Sequence, residues 1–223
     1  GYPNNRAVAL AGPSGTGKSS LARALTGVWP PAGGEVRLDG ASLAHYGPER
    51  LGQHIGYLPQ RVQLFEGTIA QNIARMTLRP DEAKVIEAAR RAAAHDMILE
   101  LPQGYDTPVL AGRLRLSGGQ MQRIGLARAL YDDPVVMVLD EPNANLDNIG
   151  SQALNFAIRG IKKRDGAVLI MAHRPAAIQE CEMLLVLDGG VRMAFGPKDE
   201  VLSGMVKNVK AIKRAPATAA GMA

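Results

Sequence analysis

Apolar positions come in short runs and in two distinct rhythms. Arg6-Ala7-Val8-Ala9-Leu10-Ala11, Ile55-Gly56-Tyr57-Leu58, Val135 to Leu139, Ala167 to Met171 and Met183 to Leu187 are near-continuous apolar segments of strand length. Such runs predict strands buried on both faces, as in a parallel sheet covered by helices. Glu35 to Gly40 alternates polar and apolar and closes on Asp39-Gly40, which predicts a half-exposed strand and turn. Val191 to Phe195, after Gly189-Gly190, predicts a last strand joined by a turn. Between Arg61 and Asp133 the rhythm becomes helical, with helices expected over Thr68 to Arg75, Asp81 to Ala94 and Ser117 to Tyr131. A further helix is expected near Ser151 to Lys163. Strands alternating with helices imply an α/β fold with a mostly parallel sheet.

Composition adds limits. The 223 residues suffice for one large domain, and 46% hydrophobic content can fill a core. No apolar run approaches the roughly 18 residues needed to cross a bilayer. There is neither a secretory signal nor an initiator Met, so the chain reads as a piece of something longer or a trimmed product. A single cysteine, Cys181, excludes an internal disulfide and a cysteine metal cluster; it reads as a small semi-buried residue. The net charge of +5 gathers at the end, where Lys207, Lys210, Lys213 and Arg214 follow Glu200 with no further acid. A basic tail is poor support for nucleic-acid binding by the body of the chain, and none is expected.

Three clusters carry chemistry. Gly12-Pro13-Ser14-Gly15-Thr16-Gly17-Lys18-Ser19, followed by Ser20, fits G-x-x-x-x-G-K-[ST] between a predicted strand and a predicted helix. Backbone N–H groups at a helix start cradle phosphate, with Lys18 at the β- and γ-phosphates and the Ser19 hydroxyl on Mg²⁺. Val135 to Leu139 leads into Asp140-Glu141, two carboxylates at the C-terminal end of a buried strand, where open α/β sheets bind ligands. Asp140 is expected to hold Mg²⁺ and Glu141 to orient or deprotonate water. Leu116-Ser117-Gly118-Gly119-Gln120 opens a second helix, with Ser117 a natural N-cap and the glycines leaving N–H groups open to another anion. Two phosphate-binding helix starts need not serve one nucleotide; two molecules head to tail would sandwich each nucleotide between one phosphate loop and the other's Ser117 loop.

Taken together these motifs resemble the nucleotide-binding domain of ATP-binding cassette (ABC) transporters over nearly the whole chain. The resemblance implies a P-loop NTPase (RecA-like) core with an inserted α-helical ABC subdomain: core over 1–60 and 134–203, helical subdomain over 61–133, and a basic tail over 204–223. It further implies ATP and Mg²⁺ as ligands and matches Leu116 to Gln120 to the signature loop. Gln60 matches the glutamine that touches Mg²⁺, and Asn143-Ala144-Asn145-Leu146-Asp147 matches the dimer-contact loop. His173 matches the switch histidine at the γ-phosphate; from the residues alone it reads by default as a capping or core histidine. Glu141, His173, Lys18 and Gln60 are thus the implied catalytic set. The implied nucleotide-binding set is Gly12 to Ser20, Ser117 to Gln120 and Asp147, and Ser19, Gln60 and Asp140 are the implied metal ligands.

Finer stretches look like exporters, and most like the ATPase half of bacterial type I secretion exporters: Leu64-Phe65-Glu66-Gly67-Thr68-Ile69, Trp29-Pro30-Pro31, and Leu101-Pro102-Gln103-Gly104-Tyr105-Asp106-Thr107. That likeness implies a fused transmembrane domain, a second copy, a periplasmic adaptor, an outer-membrane channel, an exported polypeptide, and a place on the cytoplasmic face of the inner membrane. Alternatives are a lipid or small-molecule exporter, an importer, a soluble ABC ATPase, or an inactive interaction fragment. Three features depart from the family. The adenine-stacking aromatic strand is missing, and Tyr2 lies too near Lys18 to replace it. Leu110-Ala111 and Arg113 stand where exporters carry Gly-Glu and another glycine, although Gly112 fits. Asn143 stands where many relatives have serine.

Overall fold

The structure is a computed structural model that describes residues 7–110, 114–143, 145–172 and 178–205. Among these, six strands form one sheet in the order β10-β9-β1-β8-β7-β4. They are β1 (Ala7–Ala11), β4 (Ile55–Leu58), β7 (Val136–Asp140), β8 (Ala167–Met171), β9 (Met183–Asp188) and β10 (Val191–Pro197). All neighbouring pairs run parallel except β9 and β10, which form an antiparallel edge. The expected mostly parallel sheet is therefore present, and its apolar runs are buried for the expected reason. Leu10, Leu139 and Ile170 have no exposed surface, and each such side chain stabilises the fold by about 1.5–3 kcal/mol relative to exposure.

Helix α1 (Lys18–Leu25) follows β1, α6 (Gly118–Leu130) precedes β7, and α7 (Asn148–Lys163) links β7 to β8. The remaining helices are α2 (Pro48–His54), α3 (Ile69–Ile73), α4 (Glu82–Arg91), α5 (His95–Leu99) and α8, over 198–205. Some elements differ from expectation. The strand expected over Glu35 to Gly40 shrinks to β2 (Arg37–Leu38), paired with β3 (Ala41–Ser42). The helix expected over Asp81 to Ala94 stops at Arg91, because Ala93 takes a left-handed φ of 51°, and restarts as α5. A small hairpin, β5 (Gly67–Thr68) with β6 (Pro108–Val109), has no counterpart among the expected elements.

Two arginines join α3 to the rest. Arg75 sits just past α3 with φ 56° and donates to the carbonyls of Arg128, Ala129 and Tyr131 at the C-terminus of α6, and to that of Gly52 in α2. It thereby satisfies carbonyls that a helix end leaves without intrahelical partners. Arg128 donates to the carbonyls of Asn72 (2.8 Å) and Gln63 (3.0 Å) and to Asn72 Oδ1 (2.7 Å), and stacks on Phe65 at 5.2 Å. Burial lowers the pKa of both guanidinium groups, that of Arg128 to about 10 with help from the Arg75 charge. Arg75→Met is expected to cost about 2–4 kcal/mol of stability in urea unfolding, because several buried carbonyls lose a donor at once. A cost below about 0.5 kcal/mol, the size of an ordinary surface change, would refute this role.

Cys181 is 3% exposed, and burial pushes its thiol up to about 12, which removes it from redox chemistry at neutral pH. No helix among the described residues is long and apolar enough to cross a membrane. The basic tail beyond residue 205 lies outside the described residues.

Candidate functional site

The carboxyl ends of β1, β8, β7 and β4, adjacent in the sheet, form one edge. Connections from that edge carry the phosphate loop after β1, Ala172 after β8, Asp140-Glu141 at the end of β7, and Pro59-Gln60 after β4. Ligands in open α/β sheets bind outside this edge. The topology thus assembles residues separated by more than a hundred positions in the chain.

The phosphate loop is built for close approach. A Cβ on Gly12 would sit 2.3 Å from the Leu187 carbonyl oxygen of β9, so no larger residue fits there. Gly17 caps α1 at φ 89°, a backbone conformation that favours glycine. No side chain caps the helix and no acid lies in its first turn. The N–H groups of Lys18, Ser19 and Ser20 thus have no side-chain cap at the positive end of the dipole, a place that favours an anion. Lys18 is only 6% exposed, and its Nζ donates to the carbonyls of Gly12 (2.8 Å) and Pro13 (2.7 Å). It spans its own loop where phosphate oxygens would otherwise be the acceptors. Thr16 is buried and donates to the Pro13 carbonyl at 2.9 Å, bracing the loop, while Pro13, Ser14 and Gly15 are exposed.

Asp140 is 3% exposed at the tip of β7. Burial raises the pKa of the half-buried Tyr57 phenol, the Asp140 charge adds to the rise, and Arg23 opposes it. Glu141 follows with φ 47°, unusual for a residue with a side chain, and its N–H donates to the Met171 carbonyl of β8 at 2.9 Å. Gln60 Nε2 donates to Glu141 Oε2 at 2.9 Å, so the structure brings these two predicted residues into contact. The donor types present, a hydroxyl at Ser19, a carboxylate at Asp140 and an amide at Gln60, suit Mg²⁺. That ion favours one or two protein oxygens plus phosphate and water over an all-protein cage. No cluster of three or more His, Cys, Asp or Glu that could hold a metal is found among the described residues. His173 lies outside the described residues.

Ser117 caps α6 in a reciprocal box. Its Oγ accepts from Gln120 N–H at 3.2 Å, and Gln120 Oε1 accepts from Ser117 N–H at 2.8 Å. Gln120's side chain is thereby committed to its own helix, and the N–H groups of Gly118 and Gly119 remain for a ligand. Asp147 is likewise occupied locally: Oδ1 caps α7 through Gly150 N–H at 2.8 Å, and Oδ2 lies 3.7 Å from Arg123. Sequence reasoning missed Gln122 and Arg123, which tie α6 to the loop after Glu141. The available signal was two long polar residues one position beyond a phosphate-type loop, a pattern that ordinarily marks a solvated helix face.

A separate cleft of 930 Å³ opens at the other end of α1, lined by Trp29, Pro30, Tyr46, Leu51 and Tyr57 among others. Trp29 receives the Arg23 guanidinium at 4.5 Å. None of the phosphate-loop residues lines this cleft, so nucleotide is not assigned to it.

A family model described as ABC transporter matches residues 2–144. The chain is 51% identical over 201 residues to the type I secretion system ATP-binding protein PrsD of Rhizobium meliloti, covering 90% of this chain and 34% of PrsD. It is 38% identical over 204 residues to an ATP-dependent lipid A-core flippase of Saccharophagus degradans, covering 91% of this chain and 35% of the flippase. A bacterial Atm1-family ABC exporter solved with ATP bound superposes with a TM-score of 0.80 at 35% identity, over 95% of this chain and 37% of the exporter. The chain thus spans about a third of the length of these relatives. With the family model over most of its length, and exporters among its relatives, the chain belongs to the ABC transporter family as an exporter ATP-binding domain, a family that hydrolyses ATP.

Proposed function

We propose that this chain is the motor domain of a protein exporter of the type I secretion kind. ATP occupies the loop Gly12 to Ser20, with Lys18 turning from its own carbonyls to the β- and γ-phosphates. Ser19, Asp140 and Gln60 hold Mg²⁺, which supplies charge neutralisation on the phosphates. Glu141 orients the attacking water, and His173 with Lys18 stabilises charge on the γ-phosphate. Two copies meet head to tail, so Ser117 to Gln120 of one completes the nucleotide site of the other, and Asp147 lies at that seam. Closure follows from ATP because the ligand has its full set of partners only in the closed pair. Residues 1–60 and 134–203 form the core, 61–133 the helical unit and 204–223 a basic tail.

The observation that carries this reading is the convergence of Lys18, Asp140, Glu141 and Gln60 on one sheet edge, with Gln60 already bonded to Glu141. The identity of 51% to a type I secretion protein, against 38% to lipid A flippases, supports polypeptide rather than lipid as cargo. The proposal places the domain at the cytoplasmic face of the inner membrane, below a transmembrane domain, with a periplasmic adaptor and an outer-membrane channel beyond. No nucleic acid takes part. The test is a domain exchange in which this chain replaces the matching third of PrsD in its own host and secreted protein is measured. Restored export is the expected result. A chimaera that assembles and hydrolyses ATP but exports nothing would overturn the assignment of cargo and leave the ATPase reading standing.

A further inference from the structure

Glu141 occupies a left-handed backbone conformation with φ 47°. For a residue with a side chain that conformation costs on the order of 1–3 kcal/mol and persists only where its surroundings over-determine it. Two grips do so here. On one side the Glu141 N–H donates to Met171 of β8 at 2.9 Å. On the other, the carbonyl of buried Pro142 accepts from Gln122 Nε2 at 3.4 Å, and Gln122 is only 1% exposed within α6. A buried glutamine in the first two turns of a helix is unusual, since apolar residues ordinarily fill such a site.

Other positions of α6 meet Asn145 and Asp147. Arg123 lies 3.7 Å from Asp147 and donates to the Ala93 carbonyl between α4 and α5 at 3.1 Å. A Cβ on Gly119 would meet the Asn145 carbonyl oxygen at 3.1 Å, and one on Gly118 would lie 3.6 Å from Asn145 Cβ. The glycines of the Ser117 loop therefore serve packing within the chain as well as exposing N–H groups. Arg123 Nε and Asn143 Oδ1 are both buried without a partner among the described residues, so this seam is not locked by a complete set of hydrogen bonds.

We infer that Gln122 is a positioning residue for Glu141, tying the strained Glu141-Pro142 turn to the start of α6 so that the Ser117 loop and the Glu141 carboxylate move as one body. A ligand drawn onto Ser117 to Gln120 displaces the first turns of α6, and the Pro142 carbonyl follows. The partner's nucleotide is in this way reported to the chain's own water-positioning carboxylate. The inference deepens the proposed function and rests on it.

The test is Gln122→Met, which keeps the volume and removes the amide. ATP hydrolysis by the purified chain is followed against ATP concentration, alongside thermal unfolding with and without Mg²⁺-ATP. The expected result is a fall in kcat of roughly tenfold or more with KM within about twofold, as for a misplaced group that acts only in the transition state. Unfolding and its shift by nucleotide are expected to match the wild type. Should Gln122→Met not fold, Gln122→Asn, which retains the amide but withdraws it by one methylene, is expected to give the same split. Unchanged kcat overturns the inference while the proposed function stands. So does a fall in kcat accompanied by weakened nucleotide binding and a lowered melting temperature, the mark of a merely structural side chain. Absence of hydrolysis when the wild-type chain stands in place of the matching third of PrsD would overturn the proposed function and this inference with it.

Discussion

Glu141→Gln is expected to reduce ATP hydrolysis by about 10²–10³-fold while ATP binding survives, because the change removes a positioned charge without changing shape. Glu141 stands beside buried Asp140 at the tip of β7, held on the backbone by Met171 and on the side chain by Gln60. An amide in its place fits the same space and still has an atom to bond Gln60. It cannot take a proton from water or orient it by charge. The loop that would hold the triphosphate lies after β1 and contains none of the altered atoms. Two readouts separate the effects. Phosphate release measures turnover, and the shift of thermal unfolding by Mg²⁺-ATP measures binding, since a ligand at a hundred times its Kd stabilises a fold by about 2.7 kcal/mol. Turnover should vanish and the shift should remain. If the variant turns over at the wild-type rate, Glu141 is not the group that positions water. If the shift is lost as well, Glu141 supports the nucleotide site structurally rather than chemically.

The parts of this site that are legible in the sequence are those whose chemistry forces a residue type at a fixed spacing. The phosphate loop is legible because only glycine tolerates both the approach of Leu187 at Gly12 and the left-handed cap at Gly17. The central strands are legible because β1, β7 and β8 are covered on both faces and so contain few polar residues. The strand order is not, since nothing local to Leu10 says that β8 and β9 flank it. Nor is the break at Ala93, where no glycine or proline announces the left-handed turn and only tertiary packing selects it. The two-residue strands fall below any periodicity, and Pro48–His54 forms a helix of less than two turns with few core positions. Gln122 illustrates the opposite limit: its type argues for solvent, and burial against Pro142 is decided by a loop twenty residues later.

Chains disabled at different motifs are expected to rescue one another. Lys18→Ala removes the cation from the phosphate loop and leaves the Ser117 loop intact. Ser117→Arg removes the cap of α6 and fills the space above Gly118 and Gly119, but leaves Lys18 untouched. Each variant alone is expected to lose at least about 10²-fold in hydrolysis, the scale for deleting a positioned electrostatic group. In a head-to-tail pair formed from one chain of each kind, one site combines both lesions and the other combines the intact phosphate loop with the intact Ser117 loop. Random pairing makes about half the dimers mixed, so an equal mixture should recover about a quarter of the wild-type sites. The measurement is phosphate release from each variant and from the mixture at matched total protein, repeated on dilution. Recovered activity should fall on dilution as the pairs separate, as mass action requires. A mixture no more active than its components, while the wild type turns over at a rate independent of concentration, would mean that each chain carries a complete site. The Ser117 loop would then have to serve its own nucleotide, although its capping box and its packing on Asn145 commit it to α6 and the loop after Glu141. That commitment is why completion by a second copy is the expected result: the Gly118 and Gly119 N–H groups stand in the first turn of α6, where a helix leaves its donors unpaired, and they have no hydrogen-bond partner among the described residues.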